Sequence, residues 1–497
     1  MTPDSQKSVK HIDNSPELLS LMNKNIANEC ELRNIRWNTY IGKERNSSLL
    51  ESLSIENEII TRQLVERPFE PLAVYYNIYF MTINQRFEEV YLKQWQYNNE
   101  KLLCREVTFN GNPVTRNTWF SWLISSNTSD GDRKKVFDAF IAQVPAFKEV
   151  VMGYFDLYWT ILDEIDITLD NLYQITDGIS VKELVEFLEK FLETLSPNLP
   201  ELYAEMTTKL FEREPEYYDD PWSVYNIANK KLKENELDSG NYNLVVDFLK
   251  EMGYDLSRIT VDTTQREKKQ SGAFCFAIKV PDDVRVSLHS TQGYYGFTKT
   301  LHELGHAVYY SGIDPNLPAY LRQYGDREIV REVPSLLFGM YMPSVTSFRE
   351  HFLGKTTRDF TAALIDVNQS FVLQYAIMAV LGLAKLKNYE KHSLNAITSE
   401  CRQLIERYMK IPLPAEFWYI APQAMYVQSY EVYIYCTAVA IEIAKNFEED
   451  YGNDWWKNTE AHARLRELWS KGFSSTDHLP KPDPELLAKW LLQSMSQ

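Results

Sequence analysis

The chain has 497 residues, of which 44% are hydrophobic and 13% aromatic, enough to form a large folded core. Its 52 basic and 69 acidic residues give a formal net charge of −17, which argues against nucleic acid as a partner because phosphate binding requires a basic surface. The five cysteines are scattered and show no Cys-x-x-Cys spacing, so they predict neither a disulfide framework nor a thiolate metal site.

Two observations bear on membranes and on location in the cell. The first residues, Met1 to Pro16, are polar and lack the apolar segment of a secretory signal. The most apolar run, Phe371 to Leu383, is too short to span a bilayer. We therefore expect a cytoplasmic protein without a membrane partner.

The first half of the chain has the apolar spacing of helices. Pro16 to Arg67 follows this pattern, and Arg133–Phe147 and Val181–Leu195 are further predicted helices. The acidic run Glu212–Asp220 predicts a solvated loop without a function. We assign residues 1–255 to an N-terminal helical lobe.

The pattern then changes to that of short strands. Arg258–Thr263 and Ala273–Val280 are rich in residues that favour strands, and apolar residues alternate with polar ones from Val284 to Leu288. A small sheet is therefore predicted just before the next helix. Its edge strand would be suited to hold an extended peptide by main-chain hydrogen bonds.

The segment that follows contains a His-Glu-x-x-His motif. His302 and His306 are four residues apart, so on a helix they lie on one face and can bind the same Zn²⁺. Glu303 lies beside them, where it can take a proton from a zinc-bound water. A catalytic zinc needs a third protein ligand, and the residues leave two carboxylates open for this role, Glu328 and Glu332.

The remaining chain is again helical in pattern, and residues 256–497 form the predicted zinc-binding lobe. The stretch from Arg331 to Ser335 resembles the segment that carries the third ligand in the thimet oligopeptidase and oligoendopeptidase F family. This resemblance implies that Glu332 is the ligand, with one Zn²⁺ per chain. It also implies a mostly α fold with two lobes around a deep substrate channel.

A neighbouring family, the Taq-type metallocarboxypeptidases, is similar in chain length and in the stretch from Asp283 to Arg285. The sequence departs from that family at Arg331, where the family has His, and it has no Gly-Arg-Ser soon after Glu332. These departures favour the first family.

The first family stabilises the oxyanion with tyrosines, and often a His, from a C-terminal helix. Tyr426, Tyr430 and Tyr433 recur here at helical spacing. The resemblance implies that Tyr430 and Tyr433 are catalytic and that Tyr426 contacts substrate, although a tyrosine stripe is as often part of the core. No His precedes them between residues 411 and 440, and His289 is the candidate that would bind substrate instead.

The sequence therefore predicts a zinc metallopeptidase acting on oligopeptides as an endopeptidase. The first alternative is a carboxypeptidase, which requires a cation for the free carboxylate of its substrate, with Arg285, Arg322 and Arg331 as candidates. The second alternative is a helical binding protein with a vestigial site. The sequence gives no oligomeric state.

Overall fold

The structure is a computed structural model. It describes residues 16–43, 46–65, 78, 107–109, 112–114, 129–164, 167–234, 242–270, 272–289, 293–324, 328–354, 356–421, 430–472 and 479–494.

The helices that precede the sheet are α1 Pro16–Tyr40, α2 Ser47–Val65, α3 Asp130–Ile141, α4 Val144–Glu164, α5 Leu169–Thr176, α6 Val181–Leu195, α7 Leu199–Phe211, α8 Pro221–Glu234 and α9 Tyr242–Glu251. Two short strands, β1 Val107–Phe109 and β2 Asn112–Val114, pair antiparallel within this half. The main sheet consists of β3 Ile259–Asp262, β4 Ala273–Lys279 and β5 Asp283–Leu288.

The helices that follow the sheet are α10 Gly293–Gly312, α11 Ala319–Tyr324, α12 Glu328–Leu336, α13 Met342–Ser344, α14 Thr346–Leu353, α15 Arg358–Asn388, α16 Leu394–Leu404, α17 Tyr430–Tyr451, α18 Thr459–Ser470 and α19 Pro484–Ser494. Two π-helical turns, Leu337–Tyr341 and Ile405–Met409, continue α12 and α16. The predicted fold class, mostly α with a small sheet next to the histidine helix, is confirmed.

The main sheet has the strand order β3-β5-β4, with β3 parallel and β4 antiparallel to β5. Val284, Val286 and Leu288 are fully buried on β5, because their face of the strand packs against α10. Because β5 is the central strand, β4 is an edge strand of this sheet. Helix α1 packs against it, and the ring of Tyr40 contacts Phe274 at a centroid distance of 4.8 Å.

The largest buried cluster includes residues from both halves of the chain, from Val114 to Leu491. Helix α15 lies at its centre and packs against α6, α7, α8, α16, α17 and α19. By length and composition this helix could cross a membrane, but 78% of its most apolar window is buried inside the protein. Its apolar character is accounted for by its central position in the core.

The acidic run before α8 is only in part the solvated loop that the sequence predicts, since Glu212, Glu214 and Glu216 are exposed but its last residues are buried. Asp219 is fully buried and accepts hydrogen bonds from Arg133 and Arg213. Asp220 is also fully buried and caps the first turn of α8 by accepting from the backbone of Trp222. The prediction was wrong for Asp219 and Asp220. The charge run does not indicate their burial, because Arg133, which pairs with Asp219 together with Arg213, comes from the separate helix α3.

Candidate active site

Helix α10 carries the two histidines of the motif. The imidazoles of His302 and His306 lie with their ring centroids 4.9 Å apart on one face of the helix. Both side chains are mostly buried, with 15% of His302 and 11% of His306 exposed. The helix follows the sheet directly, and its apolar stripe, including Leu301 and Leu304, is buried.

Helix α12 brings Glu332 to the histidines. Its Oε2 lies 3.6 Å from Nε2 of His306 and 3.9 Å from Nε2 of His302. Ligands at about 2.1 Å from one tetrahedral zinc are about 3.4 Å apart, so these separations are close to those of donors that share an ion. All three donor atoms lie within 4.8 Å of one another. Two imidazoles and one carboxylate therefore fit a single metal ion.

The other predicted carboxylate, Glu328, does not join this group. It begins α12, one turn before Glu332, and is 32% exposed. Its carboxylate pairs with Arg331 at 3.3 Å. Arg331 also donates from Nε to Oε1 of Glu332 at 3.3 Å, which leaves Oε2 directed at the histidines.

Helices α10 and α12 can approach so closely because Gly305 has no side chain. A Cβ at Gly305 would lie 2.7 Å from Cα of Ser335 and 2.9 Å from the carbonyl oxygen of Pro334. Gly339, in the π-helical turn after α12, faces the other side of the motif. A Cβ there would lie 2.6 Å from Cβ of His302. The two glycines thus set the distance between the histidines and Glu332.

Gly305→Ala is therefore expected to destabilise the protein by about 1–3 kcal/mol, because the contacted atoms are backbone and cannot rotate away. Zinc binding should weaken as well, since α12 must move away from α10. The matched control is Gly312→Ala at the end of the same helix, where nothing lies within 4 Å of the added Cβ. Urea unfolding and competition with a zinc chelator measure both effects. Equal zinc affinity in the two variants would contradict this role of Gly305.

Polar contacts hold the candidate ligands in place. The imidazole of His302 hydrogen-bonds to the backbone of Ser335. The hydroxyl of Ser335, which is fully buried, donates to the carbonyl oxygen of Glu332 at 2.8 Å. Hydrogen bonds from groups that do not themselves bind the metal orient the metal ligands in this way. Burial lowers the pKa of His302 well below its usual value, and His306 lowers it further, so its imidazole is neutral and able to bind a metal.

Glu303 is 7% exposed and faces the outer edge of strand β4. The backbone N–H of Cys275 donates to its carboxylate. Burial raises the pKa of Glu303 to about 8, although the charge of Lys299 opposes this shift. Because the edge strand fixes this carboxylate next to His306 and Glu332, it is placed to act as a base beside the candidate metal site.

Two cavities meet the motif from different sides. The first, of about 250 Å³, is lined by Glu303, His306 and Glu332 together with Tyr40, Tyr310, Arg331 and the β4 segment 273–276. We call it the strand cavity. The second, of about 150 Å³, is lined by His302, Lys299 and Tyr433, among others. We call it the lysine cavity. His306 and Glu332 thus border the strand cavity, and His302 borders the lysine cavity.

The strand cavity bears on the prediction that β4 binds an extended peptide. The N–H of Cys275 already donates to Glu303, and the carbonyl of Ala277 accepts from Arg33 of α1 at 2.7 Å. These two backbone groups on the outer edge of β4 are therefore already hydrogen-bonded within the protein. Peptide binding along the remainder of β4 stays a prediction.

The predicted tyrosines are placed differently from one another. Tyr433 lies on α17, which packs against α12, and lines the lysine cavity with His302. Burial raises the pKa of Tyr433 well above its usual value, so its hydroxyl stays protonated. Tyr430, the first residue of α17, lines neither cavity. Tyr426 lies outside the described residues. Of these predicted residues, only Tyr433 is brought to a cavity beside the candidate ligands.

His289 directly follows strand β5 and lines neither cavity. Its backbone N–H donates to the carbonyl of Gly272 at 3.0 Å. The structure therefore gives it a backbone role at the end of the sheet, and its predicted contact with substrate has no support from the described geometry.

Sequence reasoning missed Lys299, which lines the lysine cavity. The signal was present, since Lys299 precedes His302 by three residues and so lies on the same helical face. It also missed Tyr40, which reaches the strand cavity from α1. No local pattern indicates that contact, because it depends on how a distant helix packs.

Comparisons with known proteins agree with this architecture. Residues 188–380, which include the three candidate ligands, match the sequence model of the carboxypeptidase Taq (M32) metallopeptidase family. The structure is similar to that of Trypanosoma cruzi metallocarboxypeptidase 1, at a TM-score of 0.60 and 14% identity over 97% of this chain and 99% of the other.

Two further solved structures are similar over nearly their full length. An M32 carboxypeptidase from Deinococcus radiodurans R1 has a TM-score of 0.58 and 13% identity over 97% of this chain and 98% of the other. A Pyrococcus furiosus carboxypeptidase, in a form described as Apo-Mg, has a TM-score of 0.56 and 14% identity over 97% of this chain and 100% of the other. These similarities establish the fold. No curated protein sequence matches the chain.

The resemblance that we preferred from the sequence, to thimet oligopeptidase and oligoendopeptidase F, is not supported by these comparisons, whereas the neighbouring Taq-type family is matched. The preference rested largely on the stretch after Arg331.

Proposed function

We propose that this chain is a zinc-dependent carboxypeptidase, which removes residues from the free C-terminus of peptides. The observation that carries the proposal is the convergence of His302, His306 and Glu332, with Glu303 adjacent to them. The partial match to a metallopeptidase family and the shared fold support the same reaction class. They favour the carboxypeptidase, our first alternative from the sequence, over the endopeptidase.

Zinc is the proposed metal because of the donor set. Two imidazole nitrogens and one carboxylate oxygen are typical of catalytic zinc, whereas Mg²⁺ prefers oxygen ligands. When bound, zinc would supply a Lewis acid that polarises the scissile carbonyl and the attacking water. His302, His306 and Glu332 would hold it.

The remaining chemistry belongs to the protein. In its ionised form, Glu303 takes a proton from the attacking water and passes it to the leaving amine as the peptide bond breaks. The hydroxyl of Tyr433, which stays protonated, donates a hydrogen bond to the oxyanion that forms on the carbonyl.

Product analysis tests the proposal. With a peptide that has a blocked N-terminus and a free C-terminus, the zinc-loaded protein should release single amino acids from the C-terminus. The same peptide with an amidated C-terminus should be cleaved at least about tenfold more slowly, because the charge-assisted contact to its carboxylate is lost. Release of internal fragments from the amidated peptide at an equal rate would instead identify an endopeptidase.

A further inference from the structure

The lysine cavity contains a cation whose role the proposed chemistry does not explain. Lys299 is half-buried there, and its ammonium lies 5.8 Å from the ring centroid of Tyr295. Burial lowers the pKa of Lys299, but Tyr295 and Tyr225, followed by the carboxylates of Glu303 and Glu332, raise it above its ordinary value. Among the residues that the structure describes, no carboxylate forms an ion pair with Lys299, so its charge is available to a ligand in the cavity.

Among the described residues that line this cavity, the other cation already donates its hydrogen bonds within the protein. Arg349 is 5% exposed, and its Nη1 donates to the carbonyls of Pro343 at 3.0 Å and Ser344 at 2.6 Å. Its Nη2 donates to the hydroxyl of Thr346 at 3.1 Å. The guanidinium therefore holds the turn before α14 in place, which leaves Lys299 as the cation that can bind a ligand.

The arginines that the sequence suggested for binding a substrate carboxylate also form ion pairs or hydrogen bonds within the protein. Arg285 pairs with Asp283 at 2.6 Å, and Arg331 pairs with Glu328 at 3.3 Å. Arg322 donates to backbone carbonyls and lines neither cavity. None of the three occupies the lysine cavity.

The position of Lys299 suits a ligand group one residue away from the scissile bond. Three residues along a helix correspond to a rise of about 4.5 Å, so Lys299 begins about that far from His302 along α10. One extended residue spans about 3.3–3.6 Å, which is the distance from a scissile carbonyl to a terminal carboxylate. Tyr225, Tyr294 and Tyr295 line the same cavity and would contact the side chain of that residue.

We propose that the lysine cavity is a carboxylate-binding subsite in which Lys299 binds the C-terminal carboxylate of the peptide substrate. This assignment rests on the proposed carboxypeptidase function and makes it more specific. It names the residue that recognises the free C-terminus of the substrate. It also accounts for a half-buried cation near His302 that zinc chemistry does not require.

Binding is measured by calorimetry in the zinc-loaded Glu303→Gln protein, so that turnover does not interfere. The probes are the tripeptide Ala-Ala-Phe and its C-terminal amide. We expect the acid to bind about 10- to 100-fold more tightly than the amide, the range for a hydrogen bond to a charged group. Adding Lys299→Met should remove this preference by weakening the acid only. Adding Lys299→Arg, which keeps the charge, should retain most of it.

Steady-state kinetics of the Lys299 variants, without the change at Glu303, provide a second test of the subsite. Lys299→Met should raise KM for the free peptide about 10- to 100-fold, with a smaller change in kcat, while the amide is affected little. A loss of equal size for acid and amide would overturn the subsite, as would equal binding of both peptides before Lys299 is changed. Product analysis separates this failure from that of the parent proposal: single C-terminal residues would still be released if only the subsite is wrong.

Discussion

Glu303→Gln is expected to lower kcat by about 10²- to 10⁴-fold while zinc remains bound, because the variant removes the base that takes a proton from water. Glutamine has nearly the same size, and its carbonyl oxygen can still accept the hydrogen bond from the N–H of Cys275. The edge strand and the strand cavity should therefore keep their shape. Steady-state hydrolysis of a peptide with a free C-terminus measures the loss.

Glu328→Gln is the matched control for this variant. It makes the same chemical change on a carboxylate that is partly exposed and lies outside the candidate ligand group. Its activity should remain within about twofold of the unchanged protein, since an exposed ion pair contributes little. Full activity in Glu303→Gln would rule out Glu303 as the base.

Glu332→Gln should weaken zinc binding by more than about 100-fold. Loss of a group that only orients a metal ligand already costs 10- to 100-fold in affinity, and Glu332 is a candidate ligand itself. The amide cannot supply the negative charge, and its orientation would change because Arg331 no longer faces a carboxylate. Activity should fall with the zinc content and return only in part at high zinc concentration.

Glu328→Gln is also the matched control for Glu332→Gln. Glu328 and Glu332 are one turn apart on α12, and Arg331 contacts both. Only Glu332 lies within 4 Å of the histidines. Equal zinc affinity in Glu328→Gln and Glu332→Gln would mean that another group supplies the third ligand.

Much of this site could be predicted from sequence because its geometry is local. The four-residue spacing of His302 and His306 fixes their common face once the segment is helical. Glu332 was expected from a resemblance, and the structure brings it to the histidines. Nothing in the residues themselves had separated it from Glu328, because both lie on one helix. The distinction depends on Gly305 and on how α12 packs against α10.

The predictions that failed or lack support depended on contacts between distant segments. Asp219 is buried and paired with Arg133 from α3 as well as with Arg213, and the charged residues around Asp219 do not indicate the contact with α3. Tyr430 and Tyr433 belong to the same row of tyrosines at helical spacings of four and three, yet of these two only Tyr433 lines a cavity beside the candidate ligands. A tyrosine stripe does not specify which member faces the site, since that depends on the rotation of α17 against α12.

The peptidase proposed here depends on one zinc ion held by His302, His306 and Glu332. Its most direct test is the zinc content of the purified protein after equilibrium dialysis, measured side by side with Glu303→Gln, Glu328→Gln and Glu332→Gln. We predict one zinc per chain in the unchanged protein and in the first two variants, and much less than one in Glu332→Gln. Zinc far below one per chain in the unchanged protein, or undiminished zinc in Glu332→Gln, would contradict the proposed metal centre.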